Sequence, residues 1–216
     1  MAGAINRLKE IYSVIPACSI FADIGCDHGY IAKAMLDGEK CEKVIIADIS
    51  ASCLKKAEDL LADEIKSGKA QSFVADGFKG LPTVDCALIA GMGGEEICTI
   101  LLNAKSLPEK LVLQPMKNPR KVRETALSLG YRFIKDYTFT CNKKYYDVIV
   151  LEKGKDVLTE EELDFGRTNV TIKPQGFKAF IDYKLNELNG YLRAPNLNEN
   201  SIAKIKKDIE RLSKYV

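Results

Sequence analysis

The stretch FADIGCDHGY, residues 21–30, runs from an apolar strand pattern directly into a turn that holds two glycines and the only histidine of the chain. Gly25 and Gly29 lack a Cβ, so the backbone of this turn can approach a ligand closely. In an open sheet of parallel strands, ligands bind at the carboxyl ends of the strands, and this turn follows such an end. The stretch therefore predicts a strand–turn–helix unit whose turn holds a ligand.

The charge of the turn limits what that ligand can be. A dinucleotide site has the pattern G-x-G-x-x-G, whereas this turn has G-x-x-x-G with Asp27 inside it. An acidic side chain would repel a pyrophosphate held at the amino terminus of the following helix. The turn thus favours a cationic or zwitterionic ligand.

The same alternation of strand and helix continues through the first 130 residues. Short runs rich in valine and isoleucine alternate with helical patterns, which is typical of parallel β-α-β units. One helix is predicted over residues 51–65, and five parallel strands are predicted in residues 19–24, 43–50, 70–76, 84–91 and 110–116.

The pattern changes after residue 130. Residues 131–140 and 145–153 are strand-like and lie too close together for a crossover helix, so they are predicted to form an antiparallel hairpin. The fold class is therefore α/β: a doubly wound, Rossmann-like sheet with an antiparallel strand pair at its end.

The last third of the chain has a helical pattern. One apolar stripe runs from Phe177 to Leu192 and a second from Ile202 to Val216, and the segment between them, residues 193–200, can reverse the chain. We expect two domains: a sheet domain, residues 1–156, and a C-terminal antiparallel helical hairpin of coiled-coil type, residues 157–216.

Composition excludes several classes of protein. The 216 residues, 46% of them apolar, are enough for one full core and a small appendage. Apolar runs long enough for a membrane span and the features of a signal peptide are both missing from the sequence, so we expect a cytoplasmic protein without a membrane partner.

Seven cysteines without a C-x-x-C pair predict neither a metal site nor a disulfide framework. A net charge of +2 does not by itself indicate nucleic-acid binding, and nothing in the sequence implies an obligate protein partner.

Acidic residues and glycines recur at the ends of the predicted strands. Asp48 ends the second strand, where a carboxylate accepts hydrogen bonds from ribose hydroxyls. Asp76 ends the third, where it can accept a hydrogen bond from the adenine amine, and Gly77 permits close approach. Gly91 and Met92 follow the fourth strand, beside the first turn. Together these positions predict a nucleoside that carries a sulfonium and an amino acid, which is S-adenosylmethionine.

Each of these positions alone has a structural explanation, because a strand-end aspartate often caps a helix and a glycine pair often forms a tight turn. Their joint placement on four strand ends favours the ligand site. The predicted cofactor-binding residues are Asp23, Gly25, Asp27, His28, Gly29, Asp48, Ile49, Asp76, Gly77, Gly91 and Met92.

Six runs together carry a family resemblance: FADIGCDHGYIAKAM, IIADIS, DGF, LIAGMGGEEICTIL, LVLQPMKNPRKVRETALSLGYR and KKYYDVIVLEKG. Over about residues 5–155 the chain resembles the bacterial tRNA (adenine-22-N1)-methyltransferase family. The resemblance implies a SAM-binding class I methyltransferase domain followed by a helical hairpin. It also implies tRNA as partner and substrate, and methyl transfer from S-adenosylmethionine to N1 of adenine 22.

The reaction so implied needs little acid–base chemistry, because N1 of adenine is already a nucleophile. The N-P-P-Y and D-P-P-Y motifs of exocyclic-amine methyltransferases do not follow the fourth strand. Gln114 is the leading candidate for reading the adenine edge, because an amide offers both a donor and an acceptor. Tyr146 and His28 are further catalytic candidates, although His28 is equally explained as a residue that starts a helix. The target base must be flipped out of the tRNA to reach such a pocket.

Basic residues cluster after the fifth strand and in the hairpin turn. At the rim of a cleft they would contact RNA phosphates, and elsewhere such a run is a solvated helix face. The predicted RNA-binding residues are Lys117, Asn118, Arg120, Lys121, Arg123, Lys143 and Lys144.

Two other functions stay open from the sequence alone. One is a methyltransferase that acts on another RNA or on a small molecule, since its cofactor site would have the same pattern. The other is a SAM- or RNA-binding module without activity, which the intact set of strand-end residues disfavours.

Overall fold

The computed structural model of the protein describes residues 2–193 and 197–216. Seven strands in these ranges form one sheet in the order β3-β2-β1-β4-β5-β7-β6. The strands are β1 Ile20–Ile24, β2 Lys43–Asp48, β3 Ala70–Val74, β4 Cys86–Met92, β5 Lys110–Pro115, β6 Tyr131–Cys141 and β7 Lys144–Lys153. Strands β1 to β5 are parallel, and β7 is antiparallel to both β5 and β6. The predicted sheet, with its antiparallel pair at one end, is confirmed.

Helices connect and flank these strands. They are α1 Ala2–Val14, α2 Tyr30–Asp37, α3 Ala51–Leu60, α4 Ala62–Lys66, α5 Gly94–Asn103, α6 Pro119–Ser128, α7 Glu160–Phe165, α8 Arg167–Ile172, α9 Gln175–Leu192 and α10 Glu199–Leu212. The single helix predicted over residues 51–65 is two helices, α3 and α4, which meet at Leu61. Helices α7 and α8 were not predicted from the sequence.

The core lies on both faces of the sheet. Adjacent residues of β1 face opposite sides, so Phe21 packs with Ile11 and Met35 in one cluster while Ala22 packs with Ile97 in the other. Strands covered on both faces need apolar residues at every position, which explains the continuous valine and isoleucine runs.

A two-residue turn joins β6 to β7. Asn142 and Lys143 both have a left-handed backbone, with φ of 51° and 59°, which is the conformation of a type I′ hairpin turn. Leu113 of β5 pairs with Ile149 of β7, and the chain runs from there back to Lys144 beyond the carboxyl end of β5. The turn therefore lies at the edge of the sheet where ligands are expected.

The two long C-terminal helices contact each other. Phe177 and Ile181 of α9 are buried with Leu212 and Tyr215 at the end of the chain. Lys173, just before α9, donates a hydrogen bond to the carbonyl of Lys214 at 2.8 Å. The start of α9 therefore lies beside the end of α10, as in an antiparallel pair. Residues 194–196 of the predicted reversal lie outside the described residues.

The C-terminal segment also contacts the sheet directly. Asn169 of α8 is fully buried and exchanges two hydrogen bonds with Thr138 of β6, at 2.8 and 3.0 Å. A Cβ on Gly176 would lie 2.9 Å from the Cα of Phe139, so α9 touches β6 through its backbone. The division into two domains after residue 156 stays a prediction. The contacts described here join the residues before this boundary to those after it.

One basic residue of the predicted RNA surface lies in the core. Arg123 is fully buried, and its Nε and Nη2 donate to the two carboxylate oxygens of Asp136, each at 2.8 Å. Its Nη1 donates to the carbonyls of Leu163 and Asp164 at the end of α7. The prediction that Arg123 contacts RNA is wrong, because this guanidinium is enclosed and its donors are bound within the protein.

Replacing Arg123 tests this buried pair. We expect Arg123→Met to lower the free energy of unfolding by about 3–5 kcal/mol, because it leaves the Asp136 carboxylate buried without its partner. Urea unfolding measures the change. Arg132→Met is the matched control, since Arg132 pairs with Glu152 at the surface and should cost less than about 1 kcal/mol. Equal, small losses of stability in the two variants would contradict a buried, mutually dependent pair.

Candidate functional site

The turn between β1 and α2 is built around two glycines with left-handed backbones. Gly25 has φ of 73° and donates its N–H to the carbonyl of Ala47 at 2.7 Å. A Cβ on Gly25 would overlap the terminal methyl of Met92. Gly29, with φ of 72°, would place a Cβ 2.9 Å from that of Ala57 in α3. Gly25 thus allows the left-handed turn and leaves room for the side chain of Met92, whereas Gly29 permits close packing of α2 against α3.

A cavity of about 250 Å³ opens at the carboxyl ends of β1 to β4. It brings together six of the residues predicted to bind the cofactor, namely Gly25, Asp48, Ile49, Asp76, Gly77 and Met92. The sequence predicted that these residues lie close together, because parallel strands have their carboxyl ends at the same edge of the sheet.

Helix α5 supplies a wall of the cavity that sequence reasoning missed. Glu96, Thr99 and Ile100 line the cavity, and their spacing of three and four residues places them on one helical face. That spacing, directly after the glycines of AGMGG, is the signal that could have identified them.

Asp48 lines the cavity at the end of β2. Its Oδ1 accepts a hydrogen bond from the N–H of Ser50 at 2.8 Å, which fixes the carboxylate at the start of α3. Within the described residues, no donor contacts its Oδ2. One oxygen of Asp48 is therefore structural, and the other is available to a bound molecule.

Asp76 and Gly77 form the opposite wall. The Asp76 carboxylate accepts a hydrogen bond from Lys79 at 2.6 Å, and both side chains are about half exposed. Gly77 has φ of 64°, and a Cβ there would lie 2.7 Å from Cγ2 of Ile100. Gly77 thus keeps this wall close to α5.

Asp23 is a buried carboxyl group at the end of β1 that does not line the cavity. Burial raises its pKa to about 7, and the charge of Asp48 adds to this, whereas a hydrogen bond from the backbone of Ala32 lowers it. A cation bound at this end of β1 would favour the ionised form of Asp23.

Asp27 and His28 lie on the outer rim of the turn. His28 Nδ1 and Asp27 Oδ2 are 2.7 Å apart, and Lys56 lies 3.3 Å from the other oxygen of Asp27. Partial burial acts against ionisation of Asp27, but hydrogen bonds from His28 and Lys56 lower its pKa overall. The His28 ring stacks on Tyr30, with 5.4 Å between centroids. The structure does not place His28 beside the other two catalytic candidates.

The other two candidates, Gln114 at the end of β5 and Tyr146 in β7, are linked through Met116 and Arg7. Gln114 is fully buried; its Nε2 donates to the carbonyl of Pro115 at 3.0 Å and lies 3.6 Å from the sulfur of Met116. Its Oε1 is buried without a hydrogen-bond partner among the described residues. Arg7 contacts the same sulfur at 3.6 Å and lies over the ring of Tyr146. No sequence motif singles out Arg7.

The two tyrosines of β7 face opposite sides, as alternation in a strand requires. Tyr145 donates to the carbonyl of Ala179 in α9 at 3.0 Å. Tyr146 stacks on Phe139, with 5.5 Å between centroids, and lies on the side of Arg7.

The predicted RNA-binding residues differ in their exposure and in the ion pairs that they already form within the protein. Lys117, Lys121, Lys143 and Lys144 are exposed, as is Asn118, whose amide contacts Glu95. Arg120 already forms ion pairs with Glu124, Glu160 and Asp164. The carbonyl of Lys117 accepts a hydrogen bond from the N–H of Gly94 at 3.0 Å, so the basic segment adjoins the start of α5.

A larger cavity of about 510 Å³ lies between residues 78–84 and 103–108. It is near the amino ends of β4 and β5 and contains none of the predicted site residues. Across residues 2–193 and 197–216, the structure contains no cluster of histidine, cysteine and acidic side chains suited to a metal ion, and no helix suited to span a membrane.

Comparison with known proteins is consistent with the fold. A family model described as a methyltransferase domain matches residues 4–149. A Mycoplasma pneumoniae protein provisionally named a tRNA methyltransferase is 33% identical over 154 residues, 68% of this chain and 70% of that protein. The tRNA (adenine(22)-N(1))-methyltransferase of Bacillus subtilis is 30% identical over 157 residues, 69% of this chain and 65% of that protein. The structure of M. capricolum TrmK in complex with S-adenosyl-homocysteine matches with a TM-score of 0.84 at 23% identity, over 97% of this chain and 96% of that one.

The buried Asp23 predicts a pH dependence of stability. The folded protein holds the Asp23 proton up to about pH 7, whereas an unperturbed aspartate loses it near 3.8. Rising pH therefore favours the unfolded chain between these values. We expect wild type to lose on the order of 2 kcal/mol relative to Asp23→Asn between pH 5 and pH 8. Urea unfolding of the ligand-free proteins measures this, and a difference that does not change with pH would contradict it.

Proposed function

We propose, since this chain belongs to the bacterial tRNA (adenine-22-N1)-methyltransferase family, that it transfers a methyl group from S-adenosylmethionine to N1 of adenine 22 in tRNA. The match of a methyltransferase model to residues 4–149 and the curated relatives establish the membership. The observation that carries the proposal is the cavity at the carboxyl ends of β1 to β4, where six predicted cofactor residues meet.

The residues around this cavity fit the nucleoside end of S-adenosylmethionine. The free oxygen of Asp48 can accept from the ribose hydroxyls, and Asp76 can accept from the adenine amine. Ile49 and Ile100 provide apolar walls for a flat base. The glycines on either side keep Cβ atoms out of the space.

The other end of the cavity fits the charged part of the cofactor. Gly25 and Met92 meet where β1 and β4 end, and the nearby carboxyl group of Asp23 is ionised more readily beside a cation. The cofactor, when bound, supplies a methyl group on a positively charged sulfur. The protein contributes orientation, which can lower a barrier by about 7–11 kcal/mol when the reacting atoms are held in near-attack geometry.

Gln114 is proposed to recognise the target adenine. Its buried Oε1 has no hydrogen-bond partner in the described structure, and an unsatisfied buried acceptor is costly. The exocyclic amine of adenine can donate to this oxygen while N1 remains unprotonated for attack. Met116 covers Gln114 and is 45% exposed, so its flexible thioether must turn to admit the base.

Tyr146 and His28 have separate proposed roles. Tyr146 stacks on Phe139 and lies under the guanidinium of Arg7, so we assign it to shaping the entrance for an extruded base. His28 instead holds Asp27 on the rim of the cofactor turn. These assignments place base recognition at β5 and β7 and cofactor binding at β1 to β4.

The tRNA surface is proposed to lie along the same edge of the sheet. Lys117 and Lys121 follow β5, whereas Lys143 lies in the β6–β7 turn and Lys144 begins β7, both beyond the carboxyl end of β5. Arg120 contributes less positive charge, because three carboxylates already contact it. Asn118 adjoins this surface at the start of α6.

The proposed activity predicts methylation at one position. Purified protein with labelled S-adenosylmethionine should methylate an unmodified tRNA transcript that carries adenine 22. The reason is that adenine at this position has an N1 that can accept the methyl group. A transcript with guanine at position 22 is the matched control and should incorporate no label. Equal incorporation into both transcripts would refute the assignment of the target base.

A second prediction concerns Gln114. We expect Gln114→Met to lower turnover on tRNA roughly tenfold to a hundredfold, because the variant cannot form a hydrogen bond of about 1–3 kcal/mol to the base. Affinity for S-adenosylhomocysteine should not change, since Gln114 is outside the cofactor cavity, and stability should not fall, since an unsatisfied buried oxygen is removed. Wild-type turnover in this variant would exclude Gln114 from the site.

A third prediction concerns the exposed lysines. Replacing Lys117, Lys121, Lys143 and Lys144 by glutamine should weaken tRNA binding and flatten its salt dependence, by up to about one unit of logarithmic slope for each phosphate that is no longer neutralised. Filter binding at several salt concentrations measures both. The control replaces Lys55 and Lys69, which lie on other exposed surfaces. An unchanged slope would make the basic run a solvated surface.

A further inference from the structure

We propose that Cys18 and Cys86 form a reversible disulfide when the protein meets a hydroperoxide, with Cys18 as the thiol that reacts first. The pair lies at the amino edge of the sheet, opposite the cofactor cavity, and its chemistry does not depend on methyl transfer. All seven cysteines are free thiols in the structure, so this disulfide forms in the folded protein and not as part of folding.

Hydrogen bonds hold the segment before β1 against the start of β4. The N–H groups of Ser19 and Ile20 donate to Oδ2 of Asp85 at 3.1 and 2.8 Å. Cys18 directly precedes the two donors and Cys86 directly follows the acceptor, and the two thiols are hydrogen-bonded to each other. The two sulfur atoms are therefore in contact, as the formation of a disulfide requires.

The two thiols differ in their access to solvent. Cys18 is partly exposed and lines a cavity of about 670 Å³ together with Lys40, Cys41 and Lys69. Cys86 is fully buried at the first position of β4. A small, uncharged oxidant can therefore reach Cys18 before it reaches Cys86.

The contact between the thiols also favours the thiolate of Cys18, which is the reactive form of a cysteine. The hydrogen bond from Cys86 lowers the pKa of Cys18, and the charge of Lys110 adds to this, whereas burial and the charge of Asp85 act against it. The same contact, together with burial, raises the pKa of Cys86. Cys18 is thus the nucleophile, and Cys86 stays a thiol until the second step.

The reaction with a hydroperoxide has two steps. The Cys18 thiolate attacks one peroxide oxygen, the O–O bond breaks, and the leaving oxygen is protonated, which gives a sulfenic acid on Cys18 and a molecule of water or alcohol. The Cys86 sulfur then attacks the Cys18 sulfur. The S–O bond breaks, and the released hydroxide takes the proton of the Cys86 thiol and leaves as water. Two thiols are oxidised, one hydroperoxide is reduced, and thiol–disulfide exchange with a small dithiol reverses the product.

Cys41 is the other thiol near Cys18. The N–H of Cys18 donates to the carbonyl of the preceding residue, Lys40, at 2.9 Å. Cys41 is buried, and burial together with the charge of Cys18 raises its pKa to about 12. Cys86 is favoured as the partner because its thiol is already hydrogen-bonded to the sulfur of Cys18.

The disulfide should leave the cofactor site undisturbed. Cys18 and Cys86 lie at the amino ends of β1 and β4, whereas Gly25 and Met92 line the cavity at the carboxyl ends. The five residues of β1 separate the two edges by roughly 15 Å. We therefore expect the oxidised and reduced proteins to bind S-adenosylhomocysteine with the same affinity.

Mass spectrometry of the full chain tests the proposal. The folded protein is treated briefly with hydrogen peroxide at neutral pH, its remaining thiols are alkylated, and the chain is digested without reduction. We expect a cross-linked peptide pair that contains Cys18 and Cys86, a loss of two hydrogen atoms from the intact chain, and recovery of both thiols with dithiothreitol. Cys53→Ser is the matched control, at a partly exposed cysteine of α3, and should form the same disulfide at an unchanged rate.

Replacement of the partner thiol gives a second readout. In Cys86→Ala we expect peroxide to carry Cys18 on to the sulfinic and sulfonic acids, because the thiol in contact with its sulfenic acid is gone. The cross-link in the wild-type protein decides the proposal even where this buried substitution lowers stability.

Three results would overturn the inference. One is a disulfide between Cys18 and Cys41, which would show that Cys86 is not the partner. Another is oxidation of wild-type Cys18 to the sulfonic acid without a cross-link. The third is a cross-link that appears only in urea, because the folded protein would then not hold the two sulfur atoms ready to react.

Discussion

The left-handed turn at Gly25, with φ of 73°, is the constraint on which the site depends. A Cβ at Gly25 would also overlap the methyl group of Met92, the end of a flexible side chain that lines the same cavity. The left-handed backbone of Gly25 turns the chain away from the sheet at the same point. Gly25 lines the cavity together with Asp48 of β2 and Met92 of β4, so this edge of the cavity depends on the turn.

The sheet edge divides into two parts with different chemistry. At β1 to β3 the cavity is lined by the carboxylates of Asp48 and Asp76, and the buried carboxyl group of Asp23 lies near the end of β1 without lining it. At β5 and β7 the edge carries the amide of Gln114 and the ring of Tyr146, and the guanidinium of Arg7 from α1 lies over that ring. A cationic cofactor suits the first part, and an uncharged base that accepts the methyl group suits the second. The boundary between them is the Gly91–Met92 segment, where the two reactants would meet.

The sequence predicted those features that depend on local patterns. Valine and isoleucine runs located the strands, and the short gap between residues 140 and 145 located the hairpin turn. The strand-end aspartates were informative because topology brings such ends to one edge. Arg123 was assigned wrongly because a charge run does not reveal that Asp136 lies buried across the fold. The contacts of Arg7 with Met116 and Tyr146 were missed for the same kind of reason, because these residues lie far along the chain.

Hydrogen exchange with and without S-adenosylhomocysteine tests the location of the cofactor most directly, because it compares every backbone segment in one experiment. We expect increased protection in four segments at the carboxyl edge, residues 24–29, 48–50, 75–77 and 90–94, with no change in residues 78–84 and 103–108 around the larger cavity. Protection of those latter segments, with the four strand-end segments unchanged, would contradict a cofactor site at this edge.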